Sequence, residues 1–334
     1  MESLPIISIV VPLYNAGLYI EKCLDSIFAQ TLKDIDCIVV DDGSTDNGLN
    51  LCLDYSKREE RLRVFHIENS GVCKARNVGI REARGKWISF IDSDDFIDPD
   101  YLESFMSFLH PNTLCVHRAL RKIHADGHIE EIGLSDKDVY AGNSSADNYV
   151  LLNKNFLLLA SSCFKMFSKE ILRRNNIVFD ESITCVEDRI FVAEYLLADE
   201  VKGISFIDEC GYNYVMHKGS STTVMPPLRM YADASLRWYH LIEKLNTKFN
   251  ILSSEIVLKQ KKYIKNQLID VTLASFKHSR LNLSDRFQLY KHLKAMIDKE
   301  FGNVRLERGY DFVGRIIKLP SLVGFVIFNI RFHQ

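Results

Sequence analysis

No apolar run of 18 residues or more occurs in the sequence, so an ordinary membrane-spanning helix is not expected. Internal repeats and low-complexity segments are also missing. The first residues, MESLPIISIVVPLYN, carry no basic region ahead of the apolar stretch. That stretch is short and β-branched, so it reads as a strand and not as a secretory signal. None of the eight cysteines forms a CxxC pair, and no Cys/His cluster has zinc-finger spacing. Most stand beside apolar residues, as Cys37 does in IDCIVV, which reads as buried reduced thiols of a cytoplasmic protein.

What is present points to a packed globular chain. Its 334 residues are 47 % apolar and 26 % charged, enough for about two domains and unlike a disordered or collagen-like chain. The net charge of -2 hides a division. Residues 226–334 carry 19 Lys and Arg against 9 Asp and Glu, a net of +10, whereas residues 1–225 have a net of -12. Acidic sites suit metal ions or cationic ligands, and basic surfaces suit phosphates, anionic lipid or nucleic acid.

Strand and helix patterns alternate through the first hundred residues. Strands are predicted at 6–11, 35–40, 62–67 and 87–91, and helices at 18–30, 49–55 and 72–83. The strands are continuous apolar runs, as in a parallel sheet covered on both faces, so the pattern is that of a doubly wound α/β unit. Such sheets bind ligands outside the carboxyl ends of their strands. Beyond Pro111 a strand is predicted at 113–117, a hairpin at 121–132 around Asp126-Gly127, helices at 145–159 and 187–198, and a strand-like stretch at 203–216. After Pro226-Pro227 the pattern is helical, at about 228–248, 253–277 and 284–300.

Three strands end in unusual chemistry. The first runs into Pro12-Leu13-Tyr14-Asn15, the second into Asp41-Asp42-Gly43-Ser44-Thr45-Asp46, and the fourth into Asp92-Ser93-Asp94-Asp95. A turn followed by a helix N-cap accounts for Ser44 or Asp46. It does not account for two adjacent acids directly after Ile38-Val39-Val40. Carboxylates one residue apart at the end of a buried strand repel each other and resist desolvation. A divalent cation relieves both costs, and hard oxygen ligands suit Mg²⁺ or Mn²⁺ together with substrate phosphates. The competing reading is a solvated acidic loop with Asp95, Asp98 and Asp100.

Taken in order, these strings resemble glycosyltransferase family 2, whose members have the GT-A nucleotide-sugar-binding fold. The carrying residues are VVPLYN, VVDDGSTD, Asn69-Ser70-Gly71 with Ala75-Arg76-Asn77-Val78-Gly79, and Gly85-Lys86-Trp87-Ile88-Ser89-Phe90-Ile91-Asp92-Ser93-Asp94-Asp95. The resemblance covers residues 5–110 and extends to 225, which implies a GT-A catalytic domain with a doubly wound mixed sheet over 1–225 and a basic α-helical domain over 226–334. Within the first, 1–110 would form the donor half and 111–225 the acceptor half.

The resemblance also implies roles. Pro12, Tyr14 and Asn15 line the nucleobase pocket, Asp42 accepts from the uracil imide, and Asp41 is its neighbour. Arg76 lies near the nucleotide, where a guanidinium suits phosphate or a base edge. Asp92, with Ser93 beside it, meets the ribose, and Asp94 coordinates the metal that bridges the donor diphosphate. Family members often take the acceptor proton with the Asp of a Glu-Asp pair that opens a helix. Glu187-Asp188 fits, with Asp188 as base and Glu187 as support or acceptor contact, although Val186 stands where Gly is common. Carboxylates in a first helical turn are favoured by the helix dipole in any case. In Tyr212–Lys218 and the residues after it, His217 is implied as a metal ligand or diphosphate contact, with Lys218 and Ser220 on the diphosphate. The resemblance thus implies an inverting, metal-dependent transferase that uses a nucleotide sugar, UDP-linked by expectation. Its acceptor would be a glycan or lipid-linked glycan of surface polysaccharide assembly.

The basic end adds one expectation. Residues 312–332 are apolar with basic flanks and are interrupted by Pro320 and Gly324, which fits a peripheral anchor at the inner face of the cell membrane. Packing back onto the protein, or into a homodimer, is the alternative. Two other functions compete. A sugar-phosphate nucleotidyltransferase would need a Gly-rich, basic loop after the first strand, which VPLYNAG lacks. A polyanion-binding protein would use the +10 region. No nucleic-acid-binding motif accompanies that region, and the acidic part would repel phosphates, so no nucleic-acid partner is expected.

Overall fold

A computed structural model describes residues 4–133, 161–217, 227–249 and 283–301. Its first element, β1 (Ile7–Leu13), is buried along its whole length, as is β2 (Ile35–Asp42). Continuous burial is what an unbroken apolar run requires, and the two strands pair in parallel with Ile9 opposite Cys37 and Leu13 opposite Asp41. β3 (Leu62–Ile67) and β4 (Trp87–Phe90) extend the sheet, with Val10 of β1 opposite Phe90. The connecting helices are α1 (Ile20–Phe28), α2 (Gly48–Ser56) and α3 (Val72–Glu82).

The sheet then departs from pure parallel order. β6 (Thr113–His117), β9 (Lys165–Ser168) and β10 (Gly203–Ile207) complete seven strands in the order β10-β6-β9-β4-β1-β2-β3. β9 is antiparallel to both neighbours, so the sheet is mixed. The sequence pattern did not predict β9, which is four residues long and begins on a lysine. A second sheet has the order β5-β11-β7-β8, from β5 (Phe96–Ile97), β7 (Ala119–Ile123), β8 (Ile129–Gly133) and β11 (Tyr212–Val215). The hairpin of β7 and β8 turns at Asp126-Gly127 as predicted, with Gly127 at φ +85. The single strand predicted over 203–216 is two strands, β10 and β11, in different sheets. Short helices α4 (Tyr101–Ser104) and α5 (Lys169–Arg174) and the longer α6 (Glu187–Leu197) complete this part.

The close fit of α3 on the sheet explains one glycine. A Cβ at Gly79 would lie 2.2 Å from Val10 Cγ1, so only a bare Cα lets the helix approach β1. Beneath the start of α6 lies an aromatic cluster. Phe179 stacks on Phe191 at 4.0 Å, and Phe90 meets both edge-on.

The chain divides into two compact units, Met1–Thr223 with Lys244–Ile251, and Val224–Glu243 with Leu252–Gln334. α7 (Leu228–Phe249) begins in the second unit, which also holds α8 (Leu283–Phe301). There His292 Nε2 lies 2.8 Å from Asp233, and His240 faces Glu300 at 3.7 Å. No described helix is long and apolar enough to cross a membrane. The helices predicted at 145–159 and 253–277, and the segment 312–332, lie outside the described residues.

Candidate active site

The strand order places the carboxyl ends of β4, β1 and β2 side by side, at the point where successive connections leave in opposite directions along the sheet. The two loops after β1 and β2 are tied together. Asn15 adopts φ +50, a conformation Asn tolerates better than most residues, and its Oδ1 accepts the Thr45 N–H at 2.8 Å. The Asn15 N–H donates to Ser44 Oγ, and Asp46 accepts the N–H groups of Gly17 and Gly48. Tyr14 remains half exposed, while Pro12 is buried within β1.

Both acids that end β2 are engaged. Asp42 accepts the N–H groups of Ser70 and Gly71 at 2.7 and 2.8 Å, which fixes the entry to α3. Each of its oxygens keeps a second lone pair. Asp41 is fully buried and lies 2.7 Å from Nδ1 of the exposed His66. Gly43 between these loops sits at φ +70, and a Cβ there would come within 2.7 Å of the Asn69 nitrogen.

The helical period puts Cys73, Arg76 and Asn77 of α3 on one face, toward the loop that leads into α6. Asn77 donates to the Phe179 carbonyl and to Glu181, and it accepts the Phe179 N–H. Cys73 Sγ meets the Ile183 carbonyl. Held in this way, the loop delivers Glu187 and Asp188 as the first turn of α6. Val186 just before them is left-handed at φ +63.

Arg76 occupies the centre. It is 4 % exposed, and its Nη1 donates to Asp188 Oδ1 at 2.8 Å and its Nη2 to Asp92 Oδ1 at 3.0 Å. Glu187 lies 3.9 Å away. Burial alone would weaken the hold on its proton, but Asp188 and Asp92 outweigh it and keep the guanidinium charged. Burial, and then the charge of Asp188, push the Glu187 carboxyl up, against the pull of Arg76.

Asp94 and His217 meet across 123 positions of sequence, with Oδ2 and Nε2 2.7 Å apart. The imidazole stacks on Tyr19 at 4.5 Å. Among the described residues no cluster of three or more His, Cys, Asp or Glu side chains forms a ligand set. One carboxylate and one imidazole at a single point fit a Mg²⁺ or Mn²⁺ ion that draws its other ligands from phosphate and water. Ser93 is buried between the two aspartates. Lys218 and Ser220 lie outside the described residues.

Sequence reasoning missed how β11 is carried to this place. Asp95 is buried, accepting from Tyr212 Oη at 2.6 Å and from the Val215 N–H at 2.8 Å, while the Asp92 N–H donates to the same Tyr212 oxygen. Burial first, then the charges of Asp92 and Asp94, push its carboxyl well up. The signal was present as a third acid directly after Asp92-Ser93-Asp94, but it reads as loop without the partner strand.

Comparison with known proteins agrees with this geometry. The family model described as Glycosyl transferase family 2 matches residues 8–174. The uncharacterized glycosyltransferase EpsJ of Bacillus subtilis is 32 % identical over 232 residues, covering 66 % of this chain and 64 % of EpsJ. Chondroitin synthase of Escherichia coli is 30 % identical over 230 residues, 67 % of this chain and 31 % of that protein. The chain therefore spans less than two thirds of the length of these relatives. The crystal structure of S. aureus TarS residues 1–349 in complex with UDP-GlcNAc superposes with a TM-score of 0.68 at 19 % identity, over 98 % of this chain and 90 % of that one. That likeness establishes the GT-A fold. The chain belongs to glycosyl transferase family 2.

Proposed function

We propose that the chain transfers a sugar from a nucleotide sugar, UDP-linked, to a hydroxyl of a glycan or lipid-linked glycan, with inversion at the anomeric carbon. The observation that carries the reading is the junction at Arg76, which joins Asp92 at the end of β4 to Asp188 at the start of α6. In it a nucleotide-side carboxylate and a candidate base share one partner. The UDP-GlcNAc bound by TarS supports the donor class, and the likeness to chondroitin synthase supports a polysaccharide product.

The nucleobase would lie against the exposed Tyr14 ring, beside Pro12, Asn15, Asp41 and Asp42, with the ribose on Asp92 and Ser93. Asp188 would accept the proton of the acceptor hydroxyl as its oxygen attacks from the face opposite the diphosphate. A positioned base is worth about 10²–10⁴-fold in such a step. Glu187 would support Asp188 or contact the acceptor. Asp94 and His217 would hold Mn²⁺ or Mg²⁺, which when bound neutralises the charge of the leaving diphosphate. We assign the basic, apolar segment 312–332 to the cytoplasmic surface of the membrane, where a lipid-linked acceptor would be met.

A screen of nucleotide sugars with Mn²⁺ tests the reading. Release of UDP from one UDP-sugar, abolished by EDTA and restored by the metal, is the expected result. Release from none of them would overturn it.

A further inference from the structure

We propose that Arg76 is a positioning residue for the base, registering Asp188 against the donor-side Asp92 through a single planar group. The inference rests on the reading of Asp188 as the base.

Arg76 takes Oδ1 of Asp188 and Oδ1 of Asp92, at 2.8 and 3.0 Å. Among the described residues, Oδ2 of each carboxylate has no hydrogen bond. Each acid thus gives one oxygen to the guanidinium and keeps one, on Asp188 for an acceptor proton and on Asp92 for a donor hydroxyl. The three residues come from α3, from the end of β4 and from the start of α6, so no shorter stretch of chain sets their spacing.

The guanidinium suits this task because its donors diverge in a fixed plane, whereas an ammonium is a point charge. Arg76 is itself immobilised. It is almost wholly buried, its Cζ lies 5.3 Å from the Phe179 ring centre, and its helix is locked to the α6 entry loop through Asn77. Among the described residues its Nε finds no hydrogen-bond partner. A side chain placed only to stabilise the fold would more often satisfy every donor. Here the two outer nitrogens are satisfied by the two acids that bracket the reaction, at the expense of the third.

The test uses the full chain with Arg76→Met and Arg76→Lys, measuring acceptor-dependent UDP release and the affinity for UDP with Mn²⁺ by calorimetry. Misplacing a reacting group by about 1 Å costs on the order of 100-fold. Arg76→Met should therefore lose about that factor in kcat, and Arg76→Lys about tenfold or more, because lysine keeps the charge but not the two-pronged geometry. The KM for the donor and the Kd for UDP should stay within about threefold. In an Asp188→Asn background, Arg76→Lys should add little further loss, since the base is already gone. A raised KM and Kd with kcat retained would make Arg76 a donor ligand and overturn the proposal. Losses that multiply in the double variant would overturn it too. If Arg76→Met does not fold, as judged by circular dichroism, Arg76→Lys carries the test. A wild type that releases no UDP overturns the underlying reading, and the proposal with it. An active wild type alongside an unimpaired Arg76→Lys overturns the proposal alone.

Discussion

Val186 holds a left-handed conformation, at φ +63, that a β-branched side chain rarely adopts. It stands directly before Glu187-Asp188, at a backbone conformation that Gly adopts without a steric penalty. A non-glycine residue in this region costs about 1–3 kcal/mol, and Gly itself adds about 0.5–1 kcal/mol of entropy. Val186→Gly should therefore stabilise the chain by about 1 kcal/mol in urea unfolding; a lowered midpoint would contradict the strain. Lys165 offers a second test at this scale. Its ammonium is fully buried on the Ser161 and Cys163 carbonyls, and burial brings its pKa down to about 7. The unfolded chain, with lysine near 10.4, then binds more protons above pH 7, so stability rises with pH by up to about 1.4 kcal/mol per unit. Raised carboxyls such as Asp95, and above about pH 8.5 buried thiols such as Cys163, act the opposite way, so the Lys165 share is read as the difference between wild type and Lys165→Met over pH 7–8.5. Lys165→Met should remove the rise across that window, and an unchanged slope would contradict the assignment. The sequence singles out Asp92, Asp94 and Asp188 by the acids beside them, and the structure sets Asp92 and Asp188 on Arg76 and Asp94 on His217. The roles of Asn77 and Asp95 carry no such signal, because each binds backbone groups, of Phe179 and of Val215, that only the fold brings near.

Elements with strong periodicity were also legible. The first four strands and three helices occur where apolar spacing predicts them, since burial on both faces leaves few other readings of a run such as Ile38-Val39-Val40. β9 was not legible. Lys165 opens it as a charged residue, and its place between β4 and β6 is set by tertiary pairing and not by its own four residues. The stretch 203–216 reads as one strand because its two parts are both β-rich, and only the sheets separate them. The α3–β1 contact supplies the prediction at this scale. Gly79→Ala would force a methyl against Val10, and an overpacked contact typically costs about 1–3 kcal/mol. The urea midpoint should fall accordingly, and activity should fall with it, because Arg76 sits one turn earlier on the same helix. An unchanged midpoint would show that the helix can move away from the sheet freely.

Over the whole molecule, the modest net charge of -2 conceals a division of charge, -12 over residues 1–225 and +10 over residues 226–334. The acidic part gathers Asp41, Asp42, Asp92, Asp94 and Asp95 at the ends of two strands and Glu187 and Asp188 at the start of α6, where cations offset part of their repulsion. One is supplied by the chain, as Arg76, and the proposed second is the metal at Asp94 and His217. Arg76 offsets the desolvation of Asp92, Glu187 and Asp188, while N–H and O–H donors hold Asp42 and Asp95. The central claim is that Asp188 removes the acceptor's proton while the donor is held elsewhere. It is tested most directly by the turnover of Asp188→Asn beside the wild type, with UDP affinity measured on both. The account predicts a fall in kcat of about 100-fold or more with UDP binding unchanged. An Asp188→Asn chain that turns over at nearly the wild-type rate would contradict it.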